Sequence, residues 1–354
     1  MYASNNFAFA PPQETAPDAA APLLARLYDG ESIGAEGAET LFAALVEGQL
    51  DGPSIAAMLI ALRLKGETAE ELTGAARALR AADADFPRPD YLFADSCGTG
   101  GDGAGTINVS TAAAFVAAAA GLPVAKHGNR SVTSRCGSAD VLERLGAKLD
   151  VPAEVSRRAL DEAGICFLFA PRYHPGLRHA GPVRKALGVR TIMNVLGPCV
   201  NPAEPRVQLL GVADPKLLEP VAKTLAALGV ARALVVHGAG LDEIALHGDT
   251  EAVRVEGDRL ERLTLTPEQA GLERRPLAGL KGGGPEENAE RLKSLLMGYG
   301  LQAETETVAL NAGALLMTAS LAADLREGTE RAMEAIRSAE AYRRLKLFVE
   351  ASHG

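Results

Sequence analysis

The stretch GTGGDGAGTINVST at residues 98–111 constrains the fold more than any other part of the chain. Glycine dominates its first half, Asp102 supplies an acid, and small hydroxyl and amide side chains lead into an alanine-rich segment. Glycine tolerates positive φ and close approach to the backbone, so successive N–H groups converge on one anion. A loop of this kind running into a helix N-terminus adds the positive end of the helix dipole to the same ligand. The ligand it suits is a phosphate.

Around the loop the pattern is strand, loop, helix, repeated. Strands are predicted at YLFADSC (91–97), LPVAKHG (122–128), ICFLFA (165–170), VQLLGV (207–212) and ARALVVHG (231–238), with helices at 110–120, 139–146 and 215–229. This alternation indicates an α/β domain with a mostly parallel sheet, whose ligands sit beyond the carboxyl ends of the strands.

Ahead of it, residues 22–86 read as a small all-helical domain. LFAALVEG is one helix, IAAMLIALRLKG follows Asp51-Gly52-Pro53, and LTGAARALRAA lies behind a capping box from Thr68 to Glu71. The prolines in Phe86-Pro87-Arg88-Pro89-Asp90 mark a linker. The C-terminal segment is predicted mainly helical, with Gly282-Gly283-Gly284-Pro285 as a hinge or cap before it. A chain of 354 residues exceeds one comfortable core, so two domains are expected.

Bulk properties exclude several classes. A net charge of -9 disfavours general nucleic-acid or anionic-membrane binding. Cys97, Cys136, Cys166 and Cys199 are scattered and form no CxxC pair, which suits reduced cytoplasmic thiols better than zinc or disulfides. Residues 1–21 are rich in proline, alanine and polar residues and read as a disordered tail, not a signal peptide. The apolar run Ala112 to Ala120 is too short to span a bilayer.

Gly98, Gly100 and Gly103 satisfy the dinucleotide fingerprint GxGxxG. A nicotinamide site wants an acid about 20 residues on, for the ribose hydroxyls. No acid occurs between Asp102 and Asp140; Lys126, His127, Arg130 and Arg135 stand there instead. That positive field favours phosphate, with a purely structural turn as the plainer alternative. In Asn108-Val109-Ser110-Thr111 the polar residues are ordinary helix caps, although Ser110 also suits a magnesium ion riding on phosphates. KHGNRSVTS (126–134) concentrates cationic, amide and hydroxyl groups at a strand end. Asp242-Glu243, beyond the strand at 231–238, is either a solvated acidic pair or a ligand set for a hard cation. HPGLRHAGPVRKALG (174–188) is a basic helix surface, or the source of an arginine that clamps a carboxylate.

Together these pieces resemble the anthranilate phosphoribosyltransferases of tryptophan biosynthesis. GTGGD at 98–102, NVST at 108–111, KHGNRSVTS at 126–134, GSAD at 137–140, APRYHP at 170–175, PVRKALGVRT at 182–191, NVLGPCVNPA at 194–203 and DE at 242–243 occur in the family's order. RLKGETAEEL (63–72) resembles its helical-domain signature. The resemblance runs from about residue 22 to the C-terminus; Cys199-Val200 departs from the more usual Leu-Thr.

The resemblance implies a helical domain at 22–86, joined by about 171–190, and an α/β domain at 91–170 and 191–354 with the active site between them. It implies transfer of the phosphoribosyl group of 5-phosphoribosyl 1-pyrophosphate (PRPP) to anthranilate's amine, in a cytoplasmic homodimer formed through the helical domain. Gly98, Gly101, Asp102, Thr106, Asn108, Val109, Ser110, Thr111, Lys126, His127, Gly128, Asn129, Arg130, Ser131, Val132, Thr133, Ser134 and Ser138 would bind PRPP. Gly98, Asn129 and Arg184 would bind anthranilate. Ser110, Asp242 and Glu243 would hold magnesium, as two Mg2+ ions, and His127 is a candidate proton acceptor. The alternatives are a pyrimidine nucleoside phosphorylase, which needs no paired metal carboxylates, and a nucleic-acid-binding paralogue without catalysis, which the acidic balance disfavours.

Overall fold

A computed structural model describes residues 19–131 and 135–354. The chain opens with α1 (Ala20–Tyr28), α2 (Gly34–Val46), α3 (Gly52–Lys65) and α4 (Ala69–Ala81). Local chemistry sets these boundaries. Asp51 accepts from Ser54 N at 2.8 Å to start α3. At α4, Thr68 accepts from Glu71 N and Glu71 accepts from Thr68 N, closing the capping box, which contributes about 1 kcal/mol. Glu71 is fully buried, and Lys65 Nζ and Ile33 N satisfy its carboxylate.

Beyond the extended segment through Phe86 come β1 (Ala94–Gly98), α5 (Val109–Ala119), β2 (Val124–Gly128), α6 (Ser138–Arg144), α7 (Ala153–Ala163) and β3 (Ile165–Phe169). Short helices α8 (Ala170–Tyr173) and α9 (Gly181–Leu187) flank a 3-10 turn at Pro175–His179, and α10 (Ile192–Cys199) follows. Next are β4 (Val207–Gly211), α11 (Leu218–Ala227), β5 (Arg232–Gly238), β6 (Thr250–Glu256) and β7 (Arg259–Leu265). The chain closes with α12 (Pro285–Leu296), α13 (Gln302–Thr318), α14 (Leu325–Arg337) and α15 (Glu340–Ser352). Gly284 caps α12, so the triple glycine is a helix entry.

The seven strands run in the order β3-β2-β1-β4-β5-β6-β7. The first five pair in parallel; β6 and β7 add an antiparallel hairpin at one edge. The hairpin was not among the predicted strands, although TEAVRVE-GD-RLERLTL alternates about a Gly257 turn. Successive strands leave β1 in both directions, so the β1/β4 boundary is the topological switch point, where open α/β sheets bind ligands.

One core lies between the sheet and α5, α7, α13 and α15. The other is continuous from α1–α4 through α10 and α11 to the opposite sheet face, at Leu210, Val235 and Val253. The helical bundle is therefore welded to the sheet, and the turn at Pro175–His179 and α9 pack on α2 and α3. No helix among the described residues is long and apolar enough to cross a membrane.

Candidate active site

The glycine loop leaves β1 at the switch point. A Cβ on Gly98 would lie 2.3 Å from Asp242 Oδ2, so only glycine lets the loop pass that carboxylate. Gly101 has φ +77°, and a Cβ there would meet Arg190 Nη1 at 2.5 Å. Arg190 Nη1 donates to Gly101 O at 2.8 Å, while Arg63 of α3 donates to the Arg190 carbonyl. Asp102 Oδ1 accepts from Ala104 N at 3.0 Å, an Asx turn inside the loop. Thr106 forms a β-bridge with Lys281, which ties the far side of the loop to the entry of α12.

Asn108 does not cap α5 with its side chain. Its Nδ2 donates to Cys136 O at 3.2 Å and its Oδ1 accepts from Asn288 at 3.0 Å, joining the loop to the segment before α6 and to α12. Val109 and Thr111 are buried in the first turn of α5. Between them Ser110 N donates to Glu243 Oε1 at 3.0 Å, and Gly100 N donates to Asp242 Oδ2 at 2.6 Å. The protein's own carboxylates thus sit on amides of the kind that bind phosphate.

Burial pushes both carboxyls above the usual range, and Asp102 beside Asp242, with Asp242 beside Glu243, pushes the same way. The buried Lys126 opposes this for Glu243; its Nζ donates to Ser96 O and to Ser110 Oγ at 3.2 Å. Three acids around one lysine leave the centre short of positive charge. No group of three or more His, Cys, Asp or Glu poised for a metal occurs among the described residues. Asp242, Glu243 and the Ser110 hydroxyl are the groups here that could hold a cation, and so small a set would suit magnesium, which keeps waters and substrate phosphates as its other ligands.

The strand-end loop after Gly128 is built on Asp140, which accepts from Ser131 N at 2.9 Å and Gly137 N at 2.8 Å. Asn129 O accepts from Ser138 Oγ at 3.4 Å. Arg130 turns to Glu143 and stacks over Phe169, 4.7 Å from its ring centroid. Val132, Thr133 and Ser134 lie outside the described residues. The others line a polar cavity of about 320 Å³ with Gly98, Asp102, Ser110, Asp242 and Glu243.

A second cavity, about 210 Å³, adjoins it through Gly98, His127, Gly128, Asn129 and Arg130. Leu79, Met193, Leu196 and Pro198 give it an apolar wall. Arg184 of α9 lines this wall; burial alone lowers its pKa, and no carboxylate partners it among the described residues. His127 is buried, with Nδ1 against Gly197 O at 3.1 Å and Nε2 against His174 Nε2 at 3.0 Å. Both ring nitrogens are occupied, leaving no free one for a substrate proton.

Two residues that line neither cavity but support the site escaped the sequence reading. Asp95 is fully buried in β1 and accepts from Asn201 at 2.9 Å; burial pushes its carboxyl up. An acid inside the apolar YLFADSC run was the available signal. Arg190 was the other, hidden because its partner is a backbone carbonyl.

Known proteins match this arrangement throughout. The sequence model for the glycosyl transferase family a/b domain covers residues 90–342, and that for the family's helical bundle domain covers 21–82. An anthranilate phosphoribosyltransferase of Sorangium cellulosum is 58% identical over 326 residues, 92% of this chain and 94% of that protein. One from Yersinia pseudotuberculosis is 52% identical, covering 91% and 97%. The crystal structure of the Thermus thermophilus enzyme superposes with a TM-score of 0.88 at 44% identity, over 94% of this chain and 99% of that one. The Saccharomyces cerevisiae enzyme in complex with PRPP and Mg gives 0.88 at 27% identity, over 96% and 99%. Sequence and fold agree: the chain belongs to the anthranilate phosphoribosyltransferase family.

Proposed function

We propose that this enzyme transfers the phosphoribosyl group of PRPP to the amine of anthranilate, giving N-(5-phosphoribosyl)anthranilate and pyrophosphate. The observation that carries the reading is the junction of two unlike cavities at Gly98 and Asn129, one lined by the glycine loop and polar side chains, the other apolar with Arg184, which has no carboxylate partner among the described residues. PRPP occupies the first, its phosphates on the glycine-loop amides, Thr106, Asn108, Ser110, Thr111, Lys126 and the 128–138 loop. Anthranilate occupies the second, with its ring on the apolar wall and its carboxylate facing Arg184 and Asn129.

The amine nitrogen then bonds to C1 while the C1–O bond to pyrophosphate breaks, its electron pair leaving with the oxygen. An aromatic amine is already a nucleophile, so alignment and leaving-group stabilisation supply most of the rate. Two magnesium ions at Asp242, Glu243 and Ser110 would neutralise the departing pyrophosphate. Lys126 holds the Ser110 hydroxyl in place, and Arg190 keeps the glycine loop in register. No side chain is assigned as base, since His127 is committed on both sides.

The yeast relatives in complex with PRPP and Mg and with 4-fluoroanthranilate support these assignments. A helical domain of residues 22–86 completed by 171–190, a cytoplasmic location and a homodimer through the helical domain belong to the same reading. Anthranilate fluorescence tests it: loss that requires both PRPP and magnesium is expected. Phosphorolysis of thymidine without anthranilate consumption would establish the phosphorylase alternative instead.

A further inference from the structure

Three side chains from three separate segments form one chain beside the apolar cavity, which His127 and His174 line and Asp83 backs from behind His174. Asp83 follows α4, His174 lies in the segment that returns to the helical bundle, and His127 is on β2. Asp83 Oδ1 hydrogen-bonds His174 Nδ1, His174 Nε2 meets His127 Nε2 at 3.0 Å, and His127 Nδ1 meets Gly197 O at 3.1 Å. The imidazoles are edge-on, at 72° with centroids 4.8 Å apart. Side-chain exposure is 2% for His174 and 9% for Asp83. Ala84 N donates to Tyr173 O at 2.8 Å, so the two backbones are fastened beside the chain.

With both rings neutral the chain has one direction. A carbonyl only accepts, so His127 Nδ1 carries a proton and donates to Gly197 O. In a neutral ring His127 Nε2 is then an acceptor, which requires His174 to donate from Nε2. In a neutral His174, Nδ1 is left as an acceptor and Asp83 donates to it from a protonated carboxyl; a doubly protonated His174 would instead face an ionised Asp83. The other carboxyl oxygen, Asp83 Oδ2, is buried without a hydrogen-bond partner among the described residues, a costly place for a full negative charge.

We propose that Asp83 is a positioning residue for the acceptor substrate: by donating to His174 Nδ1 it fixes the tautomer and plane of both imidazoles where they line the anthranilate cavity. The role rests on the transferase reading given above. Burial points the same way, holding the Asp83 carboxyl up at about 8 and His174 down at about 4, with His127 well below its ordinary value. Arg80 opposes the shift at Asp83 and Glu204 reinforces it.

Two variants separate this role from mere packing. Asp83→Asn keeps a donor for His174 Nδ1; Asp83→Leu keeps volume and removes it. Expected is an anthranilate KM raised about tenfold in Asp83→Leu and within about twofold in Asp83→Asn, with the PRPP KM unmoved in both. Long-range 1H–15N spectra of histidine-labelled full-length protein should show His174 protonated at Nε2 and His127 at Nδ1 in wild type and Asp83→Asn, and that pattern lost in Asp83→Leu. Equal KM effects in the two variants, a parallel rise in PRPP KM, or a wild-type His174 protonated at Nδ1 would overturn the proposal. A wild-type enzyme that consumes no anthranilate would instead sink the transferase reading, and the spectra would still report the tautomers.

Discussion

On the proposed reading, the two halves of the site, one for phosphate and one for the acceptor, would hold their ligands by opposite means. The phosphate half is made of backbone amides, positive-φ glycines and charged side chains, and its carboxylates rest on its own anion-binding amides. The acceptor half is made of side chains, with an apolar wall, an Asp–His–His chain and an arginine that has no carboxylate partner among the described residues. Backbone amides suit an anion that brings its own cations. A shaped apolar slot suits a flat aromatic acid, where a single cation confers selectivity.

The largest effect should come from removing the cation-binding charges. Asp242→Asn with Glu243→Gln is expected to lower turnover by about a hundredfold or more and to shift its magnesium dependence. Magnesium titrations of the initial rate check this; an unchanged dependence would remove both residues from the metal site. Gly101→Ala forces a Cβ to 2.5 Å from Arg190 Nη1 at φ +77°. Its PRPP KM should rise about tenfold, from backbone strain and the displaced arginine, while the anthranilate KM stays put. If both constants rise together, the halves are not separable.

A subtler test uses pH. Native Asp83 keeps a proton up to about 8, whereas in the unfolded chain it ionises near its ordinary 3.8. Between those values the native state holds more protons, so rising pH favours unfolding. Wild-type stability relative to Asp83→Asn should therefore fall by about 1 kcal/mol per pH unit across that window and level off above it. Urea midpoints of the two proteins at several pH values give the difference directly; a flat difference would mean that Asp83 is ionised in the fold. The smallest effect belongs to Glu143→Gln, which breaks an exposed ion pair with Arg130 and should cost about 0.5 kcal/mol with both KM values unchanged.

How much of this could be read from the sequence divides along the same line. The phosphate half is local: Gly98 to Thr111 and Lys126 to Ser131 sit in short runs whose composition already points to an anion. Of the parallel strands, β3, β4 and β5 were legible as compact apolar runs and β1 and β2 from the apolar residues that lead into them, whereas half-exposed β7 offers only weak alternation. The acceptor half depends on long-range meetings, Asp83 with His174 across 91 positions and His174 with His127 across 47. No spacing rule brings those together. Arg184 stood out in its basic segment only by resemblance to the family; its lack of a carboxylate partner among the described residues needed the fold.

The division of labour is tested most directly by the kinetics of Arg184→Ala. The anthranilate KM should rise at least about tenfold, since the proposed contact between half-buried Arg184 and the carboxylate would be lost, while the PRPP KM stays within about twofold. Equal increases in the two constants would contradict it and place Arg184 in the phosphate half.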